Sequence, residues 1–217
     1  MKQDEAKTAD GTEWILQIRV RLVGTEPEIW RLLEIRGSVQ LAQVHRILQV
    51  AFGWEDVHLH RFTDSDPFAP LRPADGALPE PLQWLPAEWC EEPTDRPEEH
   101  CSLEQLLARG SGKAFYEYDF GDSWLHGLEL LSRRPAEPGT PPARLTDGAR
   151  RGPLEDCGGF PGYEDLLDAL ADPAHPDHAE LSARVAETTG TDKPFDPEFL
   201  DVAAVNRELS ALSSAAK

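Results

Sequence analysis

Between Tyr116 and His126 the chain reads Tyr-Glu-Tyr-Asp-Phe-Gly-Asp-Ser-Trp-Leu-His. Tyr116, Tyr118 and Phe120 alternate with acids before Gly121-Asp122. Beyond it Trp124, His126, Leu128 and Leu130 fall on one face of a second run. Period-2 patterning on both sides of a Gly-Asp pair specifies two antiparallel strands and a tight turn. The segment predicts a hairpin of residues 113–120 and 123–131, with Gly121-Asp122 as a two-residue turn.

The same reasoning extends along the chain. Trp14, Leu16, Ile18, Val20 and Leu22 share one face of a half-buried strand, opposite Glu13, Gln17, Arg19 and Arg21. A turn at 24–27 returns it as a second strand over 29–36. Ser38 is a candidate N-cap for a helix carrying Leu41, Val44, Ile47, Leu48, Ala51 and Phe52 at helical spacing, and Gly53 stops it. Residues 57–62 alternate and predict a third strand. Ser102-Leu103-Glu104-Gln105 matches a capping box and opens a short helix through Arg109. Residues 132–152 are rich in Pro, Gly and Arg and read as a loop. Cys157 to Tyr163 forms a glycine-rich corner, followed by helices over about 163–171, 177–188 and 199–212.

These elements predict an α+β fold with a mostly antiparallel sheet, a β-grasp-like N-terminal part and a helical C-terminal part. Residues 1–11 read as a disordered tail, and 12–212 as a single domain. That domain carries an insertion at 64–100 with eight Pro and ten acidic residues, against only Arg72 and Arg96 as basic ones. Its composition predicts irregular structure, with Trp84 and Trp89 pinning it to the body.

Charge narrows the partners. The 21 Lys and Arg face 40 Asp and Glu, a formal charge of -19. Such a surface repels phosphate backbones, and no basic run is longer than Arg150-Arg151. A protein partner is therefore favoured over nucleic acid. No apolar run approaches the ~18 residues of a membrane span. The polar N-terminal residues and three sparse cysteines, Cys90, Cys101 and Cys157, fit a reduced, cytoplasmic protein.

The candidate site residues are His58, His60, Asp119, Asp122, His126 and Cys157. On a strand, His58 and His60 would present two imidazoles on one face, a geometry that chelates a divalent metal such as zinc. His126 is the candidate third ligand, if the strand after the first helix pairs with the 113–131 hairpin. Each residue has a plainer reading. The two histidines suit hydrogen bonds on a half-exposed strand, Asp122 suits turn chemistry, and His126 suits a satisfied place in the core. Asp119 reads as either a ligand or a turn residue. Cys157 would be a nucleophile only with His126 close by; otherwise it belongs to the corner set by Gly158-Gly159.

Several segments together resemble the plasmid pRiA4b ORF-3-like family. They are Glu28-Ile29-Trp30-Arg31, Leu41 to His45, Ala51 to Trp54, His58 to Phe62, Tyr116 to His126, Glu155 to Gly159, Gly162-Tyr163 and Phe195 to Phe199. They occur in family order across most of 13–206. The resemblance implies kinship with proteins carried on plasmids and mobile elements and implies no reaction. Relatives often carry a Cys five residues before the one matching Cys157; here that position is Gly152, which removes a paired thiolate. The reading taken from sequence is a non-enzymatic interaction module associated with plasmids or mobile elements. The alternative is a metal-dependent, hydrolase-like enzyme using the His/Asp cluster. Oligomeric state stays open.

Overall fold

The computed structural model describes residues 12–69, 81–191 and 193–215. The expected tail at 1–11 and the centre of the expected insertion, 70–80, lie outside them. Eight strands form one sheet in the order β5-β4-β3-β6-β7-β1-β2-β8. They are β1 (Trp14–Leu22), β2 (Trp30–Arg36), β3 (His60–Thr63), β4 (Gln83–Leu85), β5 (Asp95–Pro97), β6 (Lys113–Tyr118), β7 (Trp124–Pro135) and β8 (Ala143–Ala149). All neighbours pair antiparallel except β4 and β5. The helices are α1 (Leu41–Phe52), α2 (Leu103–Arg109), α3 (Gly159–Ala171), α4 (His178–Thr189) and α5 (Val202–Ala215). The fold is therefore α+β with a mostly antiparallel sheet. Among the described residues no helix is long and apolar enough to cross a membrane.

The alternation of β1 does what its pattern dictates. Leu16, Ile18, Val20 and Leu22 are buried in one core with Leu41, Val44, Ile47 and Leu48 of α1. Burial of such side chains contributes roughly 1.5–3 kcal/mol each, which fixes the helix on this face of the sheet. The capping box at Ser102 forms as expected, with Ser102 Oγ accepting from Gln105 N and Gln105 Oε1 from Ser102 N. For α1 the cap differs. Gln40 is the N-cap, without a side-chain bond, and Ser38 instead donates its hydroxyl to Glu13 at 2.8 Å. Gly53 ends α1 at φ 82°.

Four other expectations are revised. Residues 81–100 are not irregular throughout: β4 adds to the edge of β3, with Trp84 opposite Phe62 and both buried. Trp84 thus anchors the segment, whereas Trp89 stays half exposed. The stretch 132–152 is not a loop, because the long β1 and β2 offer backbone partners over their full length. They recruit the extension of β7 to Pro135 and the edge strand β8. The β6–β7 turn spans residues 119–123 rather than a two-residue Gly-Asp turn, since Tyr118 pairs with Trp124. Finally, α3 starts at Gly159, four residues early, because Gly158 at φ 92° turns the chain directly into it.

The outer edge of β8 is closed by one amide. Asn206 of α5 accepts from Leu145 N at 2.9 Å and donates to Leu145 O at 2.8 Å, reproducing a strand's pairing. This satisfies backbone groups that an open edge would present to other chains. Replacing Asn206 by Leu should leave both groups unpaired, destabilise the fold by roughly 1–3 kcal/mol, and promote association; urea unfolding and light scattering would measure the two effects.

Candidate functional site

Three distant segments meet beyond the C-terminus of α1. The first is the stretch from Trp54 to Leu59 that leads into β3. The second is the β6–β7 turn, docked on the first because Asp119 N donates to Leu59 O at 2.9 Å. The third is the corner from Gly152 to Gly159. Gly152 lies so close to α1 that a Cβ would stand 2.1 Å from the Phe52 carbonyl oxygen. A cysteine at this position is incompatible with that packing.

The turn is shaped by Asp119, which sits at φ 57°. Its Oδ1 accepts from Gly121 N at 2.9 Å and Asp122 N at 3.3 Å, an Asx-type arrangement. Its Oδ2 is left to point at His58, 3.6 Å from Nε2. Asp119 therefore serves the turn with one oxygen and the cluster with the other. Asp122 does not join the cluster. Its Oδ2 accepts from Gly158 N at 3.0 Å and ties the turn to the corner. Gly159 makes that approach possible, since a Cβ there would meet the Asp122 carbonyl oxygen at 2.8 Å.

His58 is not on a strand, because β3 begins at His60. Its Nε2 lies 3.1 Å from Asp156 Oδ1 and 3.7 Å from Glu155 Oε2. Ligand atoms of His58, Asp119 and Asp156 all lie within 4.8 Å of one another, a spacing that one metal ion can span. Glu155 closes the cluster from below. Its Oε1 accepts from Glu55 N at 2.7 Å and from the Tyr118 hydroxyl at 2.9 Å. Its Oε2 is buried and accepts no hydrogen bond, and His58 Nε2 likewise has none. Burial pushes the Glu155 carboxyl above its ordinary range. Burial also raises Tyr118, with the Glu155 carboxylate adding to the effect, so the phenol stays protonated and donates.

The other two histidines expected at a metal have different partners. His60 Nε2 bonds Glu98 at 2.9 Å, and its ring stacks on His45 at 3.6 Å with planes 5° apart. His45 in turn bonds the Tyr116 hydroxyl at 2.8 Å and Asp56 at 2.7 Å. Burial holds His45 down to about 4. This interior pair is satisfied by its own carboxylates. His126 is fully buried; its Nδ1 lies 3.0 Å from the Trp124 carbonyl and its Nε2 accepts from Trp54 Nε1 at 3.4 Å. Both ring nitrogens are engaged, which is the satisfied core histidine. Of the metal trio, the structure brings only His58 to the cluster. Cys157 lies beside it, and burial with Asp122 nearby pushes its thiol up to about 12.

In the sequence Glu155 and Asp156 stand only within a segment of the family resemblance, just before the glycine-rich corner. The pair of acids was visible, but their convergence on His58 depends on contacts across about a hundred residues. His45 and Glu98 carried no local signal at all.

Comparison with known proteins agrees with this architecture. The profile of the plasmid pRiA4b ORF-3-like proteins matches residues 14–204. The chain belongs to the plasmid pRiA4b ORF-3-like family. The uncharacterized protein y4hQ of Sinorhizobium fredii is 34% identical over 167 residues, covering 76% of this chain and 78% of that protein. The crystal structure of a protein of unknown function, MM3350 from Methanosarcina mazei, matches with a TM-score of 0.72 at 26% identity. It covers 88% of this chain and 97% of the solved one. The first of these proteins is described as uncharacterized and the second as of unknown function, so neither names a chemistry for the site.

Two outcomes follow for His126 and Cys157. His126 is held down to about 4 by burial, whereas the unfolded imidazole titrates near 6.5. Its contribution is fully present above pH 6.5 and is lost as pH falls toward 4, because the unfolded chain takes up the proton first. Chemical denaturation between pH 7 and 4.5 should show this slope, and His126→Gln should flatten it. Cys157 should react with iodoacetamide at pH 7.5 far more slowly than a free cysteine near pKa ~8.5, as intact-mass kinetics on the folded protein would show.

Proposed function

We propose that this chain binds a divalent cation through His58, Asp119 and Asp156, with Glu155 as a further donor, and that the ion serves metal-assisted hydrolysis. The observation that carries this reading is the buried Glu155 Oε2, which has no hydrogen-bond donor and lies 3.7 Å from a histidine nitrogen equally without one. A buried polar group left unpaired costs roughly 1–3 kcal/mol, and a cation is the partner that would relieve both atoms together. One imidazole nitrogen among carboxylate oxygens suits zinc or manganese. Asp156 is exposed, which leaves the outer side of the cluster to solvent and fits the open position of catalytic sites. There an ion would polarise an acyl or phosphoryl oxygen and supply hydroxide from bound water at neutral pH.

A second reading has its own support. Val57, Leu59 and Phe120, chain neighbours of His58 and Asp119, are 62%, 40% and 41% exposed. Exposed apolar side chains next in sequence to the cluster residues suit a non-enzymatic interaction module as well, with the cation fastening the segments that display them. Isothermal titration of chelator-treated protein with zinc and manganese tests the cation common to both readings. We expect one ion per chain and at least a ~10-fold loss of affinity in His58→Ala, with Glu155→Gln weakened too. Wild-type protein that takes up neither metal would sink the cation site.

A further inference from the structure

A cavity of about 800 Å³ lies between the β4–β5 edge of the sheet and α2, and none of the cation-site residues lines it. That is the size of a small-molecule pocket, roughly 300–1,000 Å³. Its charge runs opposite to that of the chain. Arg96 of β5, Arg109 of α2 and His100 line it against one carboxylate, Glu104, which already lies 3.8 Å from Arg133. Arg96 donates NH1 to the carbonyls of Pro93 and Asp95 at 2.7 and 2.6 Å and has no ion pair among the described residues. Arg109 has its Nε 3.5 Å from Asp64 and its guanidinium 5.8 Å from the centre of the Trp84 ring. A guanidinium carries several N–H donors, so both arginines keep donors for a ligand. Trp84 supplies an independent observation. It is only 5% exposed and lines this cavity. The indole N–H of Trp54 bonds His126, and that of Trp124 is sealed in the interior. The indole N–H of Trp84 makes no hydrogen bond to any described residue and is not sealed. A nearly buried donor on the wall of an arginine-lined cavity thus lacks an acceptor, and the cavity is where one can reach it.

We infer that this cavity binds a small phosphate monoester. The phosphate oxygens would accept from Arg96, Arg109 and the Trp84 N–H, and the apolar body would lie along Leu82 and the Trp84 ring. The planar guanidinium fork matches phosphate oxygens, which favours this anion over a simple halide or sulfate-free cavity water. The formal charge of -19 opposes a polyanion, which would run out of the cavity onto acidic surface. A molecule confined to the cavity meets the arginines at contact range, inside the ~8 Å screening length of physiological salt. The inference is independent of the cation site.

The test uses the full, chelator-treated chain, so that no metal is present to hold the phosphate. Three probes are titrated: phenyl phosphate, benzyl alcohol and inorganic phosphate. Nitrogen-labelled protein gives one indole N–H signal for each of its six Trp, and Trp84→Phe assigns the one that belongs to Trp84. Phenyl phosphate should move that signal and bind at least ~10-fold more tightly than either other probe. Arg96→Gln with Arg109→Gln should weaken phenyl phosphate by at least ~10-fold. Both positions are exposed, so a thermal melt like that of the wild type is expected. A Trp84 signal that stays in place, or an affinity that survives the double substitution, would overturn the pocket. Benzyl alcohol or inorganic phosphate binding as tightly as phenyl phosphate would also overturn it, by removing the anion or the apolar body from recognition. Phenyl phosphate bound only by zinc-loaded protein would place it at the cation site and overturn the pocket too.

Discussion

The C-terminus of α1 is the junction from which the candidate site is built. A helix end leaves carbonyls without intrahelical partners, and here those of Ala51 and Phe52 meet other parts of the chain. Arg31 of β2, almost fully buried, donates its Nε to Ala51 O at 2.6 Å, and its NH1 reaches the carbonyls of Trp30 and Ala149. Its guanidinium also lies over the Phe52 ring at 4.8 Å. Burial lowers this arginine to about 10, still far above neutrality, so a full positive charge sits at the negative end of the helix dipole. One side chain thereby locks α1 to β2 and β8. The neighbouring Phe52 carbonyl receives Gly152, which docks the corner bearing Glu155 and Asp156. The chain leaving α1 carries His58. Both halves of the cluster are thus referenced to one helix end.

Two histidine environments show what burial decides. His45 and His60 stack face to face deep in the protein, each bonded to its own carboxylate, with the Tyr116 hydroxyl between α1 and β6. Every polar atom named there has a partner, as buried polar groups must to be tolerated. At His58 the balance differs. Carboxylates outnumber donors, and oxygens from Glu155 and Asp119 face one imidazole. The first arrangement holds a core together, and the second is short of positive charge. That difference in bookkeeping, rather than residue type, separates structural histidines from a ligand candidate.

Legibility followed the range of the interaction. The hairpins, α1 and the capping box of α2 rest on patterns within ten or so residues, and these were readable directly. The turn at 119–123 was misread because Gly121-Asp122 suits a two-residue turn, while the competing Asx bonds of Asp119 prefer a longer one. β8 was missed because its residues, Ala143 to Ala149, have weak strand character of their own. They become a strand only because β2 offers a free edge and Asn206 closes the other side. β4 similarly depends on Trp84 finding Phe62.

By itself the sequence determined the alternating faces of β1, the amphipathic α1, the β6–β7 hairpin and the acidic, unphosphate-like surface. These are properties of local periodicity and summed charge, which need no partner to be defined. It also placed His58 and Asp119 among the candidates through residue type. Tertiary structure alone decided which candidates meet. Strand register sent His126 into the core and His60 to Glu98, while a glycine packed on a helix carbonyl delivered Glu155 and Asp156 to His58. A site assembled from residues 58, 119 and 155–156 has no local signature, because its geometry exists only once the sheet and the corner have closed around one helix end.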